Sequence, residues 1–183
     1  MLKEIIFYGR GGQGAVTAAN LLASAALKSG NKGVQAFPFF GAERRGAPVK
    51  AFARISDREI LLRSEIKEPD IVVVLDMGII DAIDVTAGLK KEGIMLLNSN
   101  REPSEFSFPF KVATVDATGI AIENKILVGG IPVVNTPIVG ALIKLIDGVK
   151  IEALYEAIKE RFPEKIAQSN INASRLAYER VKI

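Results

Sequence analysis

Residues 4–29, EIIFYGRGGQGAVTAANLLASAALKS, constrain the fold more than any other stretch of the chain. Ile5-Ile6-Phe7-Tyr8 is a β-branched and aromatic run of the kind that forms a buried strand. Gly9, Gly11 and Gly14 follow in G-x-G-x-x-G spacing, with Gly12 between them. An Ala/Leu-rich segment then predicts a helix from Gln13 or Gly14 to about Lys28, stopped by Gly30. Glycines between a strand and a helix let backbone come close to whatever sits at the turn. The helix N-terminus behind them offers unpaired N–H groups and the positive end of a dipole. Two uses fit this pattern: a tight turn with close helix–sheet packing, or an anion or nucleotide site.

The dinucleotide version meets an obstacle. An NAD fingerprint places an acidic residue about 20 residues after the glycines, to hold the ribose hydroxyls. No acidic residue lies between Glu4 and Glu43. Lys28 or Lys32 could instead meet an NADP phosphate, and no second sign supports that. The absences exclude more. The 183 residues include no cysteine and no histidine. That removes disulfides, thiolate nucleophiles, Cys-ligated iron–sulfur clusters, His-ligated zinc and every Ser-His or Cys-His triad. With 24 basic and 21 acidic residues, the charge is too balanced to argue for nucleic acid. The first strand follows Met1 directly, so no signal peptide is expected and the cytoplasm is the default. Ile126 to Ile143 is uncharged for 18 residues, but its prolines, Gly129-Gly130, Asn135 and Thr136 argue for a buried loop followed by a short helix, not a membrane span.

Strands and helices alternate through most of the chain. Gly33 to Phe40 reads as a second strand interrupted by Pro38. Val49 to Ile55 alternates as a half-buried strand, with Ile60-Leu61-Leu62 as a possible hairpin partner. Ile71 to Leu75 is the strongest buried-strand signal. Asp76, at its end, is either a ligand group or, as the residue pattern slightly favours, a helix cap. A helix is expected over about Ile79 to Lys91, a strand over Ile94 to Leu97, an irregular aromatic stretch over Pro103 to Pro109, a strand over Lys111 to Val115 and a short helix over Thr118 to Asn124. Thr136 and Pro137 read as N-cap and first residue of a helix reaching Ile146. Two more helices follow, one carrying Ile151, Leu154, Tyr155, Ile158 and Phe162, the last over about Glu164 to Val181 with Ile166, Ala173, Leu176 and Ala177. The expectation is one domain over residues 1–183: an open, doubly wound, mixed but mostly parallel α/β sheet with a Rossmann-like βαβ start and C-terminal helices.

Three segments together resemble one family. They are Gly9-Arg10-Gly11-Gly12-Gln13-Gly14, Phe40-Gly41-Ala42-Glu43-Arg44-Arg45-Gly46-Ala47-Pro48-Val49 and Asn135-Thr136-Pro137-Ile138-Val139-Gly140-Ala141-Leu142. In this order they are similar to the gamma subunit of 2-oxoacid:ferredoxin oxidoreductases. The G-A-E-R-R-G-A-P form resembles the pyruvate type, where the 2-oxoglutarate type more often carries a G-P-E-x-R-G-G version. The resemblance implies a complex of alpha, beta, gamma and delta subunits. It converts a 2-oxoacid, coenzyme A and oxidised ferredoxin into acyl-coenzyme A, carbon dioxide and reduced ferredoxin. Thiamine diphosphate and iron–sulfur clusters are then expected on partner subunits, with none on this chain and coenzyme A as co-substrate. Neither nucleic acid nor membrane is an expected partner.

The candidate binding residues are Gly9, Gly11, Gly12, Gln13, Gly14, Glu43, Arg44, Arg45, Gly46, Asn135 and Thr136, with no catalytic residue and no metal ligand on this chain. The E-R-R-G loop has two readings. In one, Glu43 pairs with an arginine and the loop is a packed subunit contact; in the other, Arg44 or Arg45 reaches the active site or the phosphates of coenzyme A. If the strands before the glycine turn and before this loop are adjacent and parallel, both loops meet at one sheet edge. The alternative to the whole reading is an NADP- or nucleotide-binding domain acting alone.

Overall fold

The computed structural model describes residues 2–39 and 46–183. The first strand, β1 (Leu2–Arg10), is buried from Ile5 to Gly9 and divides its side chains between two apolar clusters. Ile5 and Phe7 enter one, Ile6 and Tyr8 the other, as the two-residue period of a strand requires. α1 (Ala15–Lys28) follows, and β2 (Gly33–Pro38) and β3 (Pro48–Ser56) form an antiparallel pair. β4 (Ile71–Val74), β5 (Ile94–Asn98) and β6 (Lys111–Val115) complete a six-stranded sheet in the order β2-β3-β1-β4-β5-β6. β1, β4, β5 and β6 run parallel, while β3 is antiparallel to both its neighbours.

The expected Val49–Leu62 hairpin does not form. β3 pairs with β1 and β2 instead, and 60–62 is not a strand among the described residues. The Ser56 hydroxyl accepts the Arg58 N–H at 3.0 Å and turns the chain away from the ladder. The 58–62 segment then lies along β2, where Gln35 Nε2 donates to the Leu62 carbonyl at 2.9 Å. β3 is also more deeply buried than its alternation predicts. Ala51, Ala53 and Ile55 lie under α1, and Phe52 and Arg54 are buried on the opposite face.

The helix expected over Ile79 to Lys91 is a second difference. Only the 3-10 turn Met77–Ile79 is regular there. The apolar spacing looks helical, but local chemistry wins. Asp84 Oδ1 accepts both the N–H and the hydroxyl of Thr86, and Gly88 takes φ +77° with its α-carbon against the Lys67 carbonyl. One sheet face is consequently covered by the five α-helices of the described residues, and the other by 3-10 turns and coil bearing Ile66, Ile79, Val85 and Leu89.

α2 (Ala117–Glu123) leads to a small hairpin, β7 (Leu127–Val128) with β8 (Ile131–Pro132), whose apolar side chains are largely exposed where a buried loop is expected. Buried apolar chain begins only at Val134, just before α3 (Asn135–Ile143), which is buried along its whole length. Its N-cap is Val134, so Thr136 lies inside the helix and not at its cap; the helix also stops three residues before Ile146. α4 (Ile151–Arg161) and α5 (Glu164–Arg180) match their expected spans, although Ile166 is half exposed. Among the described residues no helix is long and apolar enough to cross a membrane.

Candidate functional site

The parallel strands all end at one sheet edge, the usual place for ligand loops in open α/β sheets. The glycine turn leaves β1 there. Gln13 closes it from both sides: its Oε1 accepts the Arg10 N–H at 2.7 Å, and its own N–H donates to the Arg10 carbonyl at 3.0 Å. Gln13 Nε2 then donates to Asp76 Oδ2 at 2.7 Å, tying the turn to the end of β4. Asp76 also caps the Met77–Ile79 turn, accepting the Gly78 N–H at 2.9 Å, so the favoured capping role holds alongside this tie.

Each glycine of the turn has its own task. Gly11 continues the pairing of β1, donating to the Ala47 carbonyl at 2.9 Å and accepting the Gly46 N–H at 3.2 Å. Its N–H is therefore spent inside the chain and not offered to an anion. Gly12 sits at φ +98° over open space, and Gly14, the N-cap of α1, at φ +83°. A side chain at Gly14 would come within 2.7 Å of Asn135 Nδ2. Gly9 has only ordinary contacts around it.

Asn135 and Thr136 are brought to this turn but face inward. The Thr136 hydroxyl donates to Asn170 Oδ1 at 2.6 Å, and the Ser174 hydroxyl donates to the Thr136 carbonyl at 3.1 Å. A β-carbon on Gly140 would fall 2.2 Å from the Ser174 carbonyl oxygen. The N-T-P-I-V-G-A segment is thus the joint that seats α3 closely on α5. Glu43, Arg44 and Arg45 lie outside the described residues. Their flanks do not: Gly46 pairs with Gly11, and the Phe39 N–H donates to the Lys50 carbonyl at 2.9 Å. Both flanks stand at the edge of the glycine turn, although β1 and β2 are not adjacent. β3 lies between them and makes them parallel at one remove.

Arg10 is the residue that sequence reasoning passed over. Its guanidinium donates to the Gly46 carbonyl at 3.2 Å and the Gly78 carbonyl at 3.0 Å, and Nε lies 3.3 Å from Asp76 Oδ2. It joins the turn after β1, the end of the E-R-R-G loop and the turn after β4. The available signal was an arginine inside a run of glycines, where a long side chain reaches neighbouring carbonyls unobstructed. Tyr8, beside it on β1, is buried; burial and the nearby Asp84 carboxylate push its phenol above the usual range, so it stays neutral. Lys28 ends α1, about 20 Å along the helix from the glycines, and pairs with Glu160, which removes it from any phosphate at the turn.

This geometry is an α/β sheet edge whose loops are braced against one another. The family model described as pyruvate ferredoxin/flavodoxin oxidoreductase matches residues 4–180. The pyruvate/ketoisovalerate oxidoreductases common subunit gamma of Pyrococcus furiosus is 52% identical over 185 residues, covering 98% of this chain and 97% of that protein. The pyruvate synthase subunit PorC of Methanothermobacter marburgensis is 52% identical over 179 residues, with 98% and 97% covered. The crystal structure of the pyruvate oxidoreductase subunit PORC of Thermotoga maritima superposes with a TM-score of 0.82 at 38% identity, covering 99% of this chain and 97% of that one. The chain belongs to the pyruvate ferredoxin/flavodoxin oxidoreductase family. Within it, the chain is of the gamma type: one subunit of a multi-subunit pyruvate/2-oxoacid oxidoreductase.

Proposed function

We propose that this chain is the assembly subunit of a complex that oxidatively decarboxylates pyruvate, or a related 2-oxoacid, with coenzyme A and ferredoxin to acyl-coenzyme A and carbon dioxide. The observation that carries this reading is the internal use of the polar groups at the strand-end edge. The Arg10 guanidinium, the Gln13 carboxamide and the Gly11 N–H are all bonded within the chain. Such an edge spends its polar groups on its own architecture and leaves the reaction to others. The contact to a partner subunit or to coenzyme A is assigned to the Glu43–Gly46 segment, with Arg44 and Arg45 as its charged groups.

The chemistry belongs to the partners. The sequence has no cysteine, and among the described residues no three His, Cys, Asp or Glu stand together as a metal site. An iron–sulfur cluster therefore finds no cysteine ligand on this chain. Carbanion chemistry and electron transfer are assigned to alpha, beta and delta subunits in the cytoplasm, with this chain as one domain among them. The relative named a common subunit of pyruvate and ketoisovalerate oxidoreductases supports placing substrate choice on the partners as well.

Arg45→Ala in the reconstituted complex tests the reading. A charged hydrogen bond from this arginine to a partner group would contribute about 1.5–3 kcal/mol. The expected result is looser association of this subunit at an unchanged Michaelis constant for coenzyme A. A raised constant in an intact complex would instead assign the loop to coenzyme A.

A further inference from the structure

A cleft of about 460 Å³ opens between the β7–β8 hairpin and the start of α5. Its apolar walls include Ile126, Leu127, Val128, Val133, Phe162 and Ile166. The Asn170 carboxamide and the Asn135 side-chain oxygen in its lining are already used. Asn170 accepts from the Thr136 hydroxyl and donates to the Ile166 carbonyl, and Asn135 Oδ1 accepts the Thr136 N–H. Among the described residues no buried side-chain nitrogen or oxygen lacks a partner. With the Asn170 carboxamide and Asn135 Oδ1 engaged within the chain and the walls mostly apolar, the cleft favours apolar groups.

The rim has a different character. Lys125 and Lys165 stand there, no acidic residue lines the cleft, and neither lysine has a carboxylate partner among the described residues. The apolar surface also runs outward from the cleft: Val128 is 70%, Ile131 54% and Ile166 50% exposed. A two-stranded hairpin is marginal in water by itself, and a continuous apolar patch of this kind marks a contact surface.

We propose that this cleft and hairpin receive a segment of a partner subunit of the same complex, with apolar side chains for the cleft and at least one carboxylate for Lys125 and Lys165. The inference rests on the chain's place in a multi-subunit oxidoreductase, not on any contact with coenzyme A. A chain fits better than a small ligand because the apolar surface spreads beyond the cleft onto the outer hairpin. A second copy fits worse, because a two-fold interface would bring the two lysine rims together.

Val128→Asp and Lys165→Glu, each reconstituted with the partner subunits, test this. Both positions are exposed, and thermal melts of the free variants check that the fold is retained. Each change is expected to weaken retention of this subunit by about tenfold or more in sedimentation titrations. Hydrogen exchange over residues 124–133 is expected to slow on assembly in the unaltered complex. Full retention of both variants, or identical exchange in the free and assembled chain, would overturn the proposal. Dimerisation of the isolated chain that Val128→Asp abolishes would overturn it in favour of a second copy. Neither readout depends on Arg45, so this proposal and the loop reading fail separately.

Discussion

Arg54 and Arg10 stand on neighbouring strands, and their surroundings give them opposite work. Arg54 is 1% exposed in the middle of the sheet. Its Nε donates to Glu4 at 2.8 Å, Nη1 donates to Gln35 Oε1 at 3.2 Å, and the guanidinium lies 5.5 Å from the centre of the Phe37 ring. Glu4, Arg54 and Gln35 are direct partners across β1, β3 and β2, so this network accepts one register only. The Arg10 side chain is 34% exposed and bonds carbonyls on two separate loops. Water competes for its bonds, and loops can give way where strands cannot. The interior network specifies the sheet, and the edge network positions what the sheet presents.

That contrast breaks first at Arg54. Arg54→Ala leaves Glu4 without its partner in a largely buried setting, and a loss of about 3–5 kcal/mol is expected in denaturant titrations. The double change Glu4→Leu with Arg54→Met should recover most of it, because no charge is then left unpaired. The next effect belongs to the edge. Gly14→Ala must adopt a positive φ and press on Asn135, for about 1–3 kcal/mol by the same measurement. Arg10→Ala should cost about 1 kcal/mol or less, in keeping with a partly exposed pair, and a double-mutant cycle with Asp76→Asn measures the coupling. If Arg10→Ala proves as damaging as Arg54→Ala, the division of labour is wrong.

The smallest effect is a surface carboxylate that serves as a baseline for both arginines. Donation from the hydroxyl and N–H of Thr86 holds Asp84 below the usual carboxylate range. A depressed folded-state value contributes stability above the ordinary carboxylate pKa, and that contribution is lost as pH falls through the depressed one. Thr86→Ala should therefore lower stability slightly at neutral pH, leave it almost unchanged below the depressed value, and so flatten the acid limb of a pH–stability curve.

Much of this was legible in the chain. Ile5–Tyr8, the glycines and the Ala-rich helix announced their own geometry because each acts locally. Ile71–Leu75 did so through continuous apolar burial. The pairing of β3 was not legible, because Val49–Ile55 would suit any partner and the choice rests on contacts some 45 residues away, such as Ile6 with Phe52. Ile79–Lys91 misled because apolar spacing was weighed above the Asp84–Thr86 bonds and Gly88. At the candidate site, the three signature segments do converge, through Gly11–Gly46 and Gly14–Asn135. The inward turn of Thr136 was hidden because a threonine before a proline looks the same whether it caps a helix or fills its interior.

The position of β3 also has a consequence for assembly of the chain itself. β1 and β2 are made first and end up about 9–10 Å apart, two strand spacings, with a slot between them. Until β3 enters, that slot presents two unsatisfied strand edges facing each other. The strand that fits it has alanines on one side and Phe52 with Arg54 on the other, and the Glu4 and Gln35 side chains that Arg54 needs line the slot in advance. A second copy's β3 meets the same recognition. Exchange of this one strand between two folding chains is thus the error to which the architecture is most exposed at high concentration, and the residue that selects the right sequence cannot distinguish the right molecule.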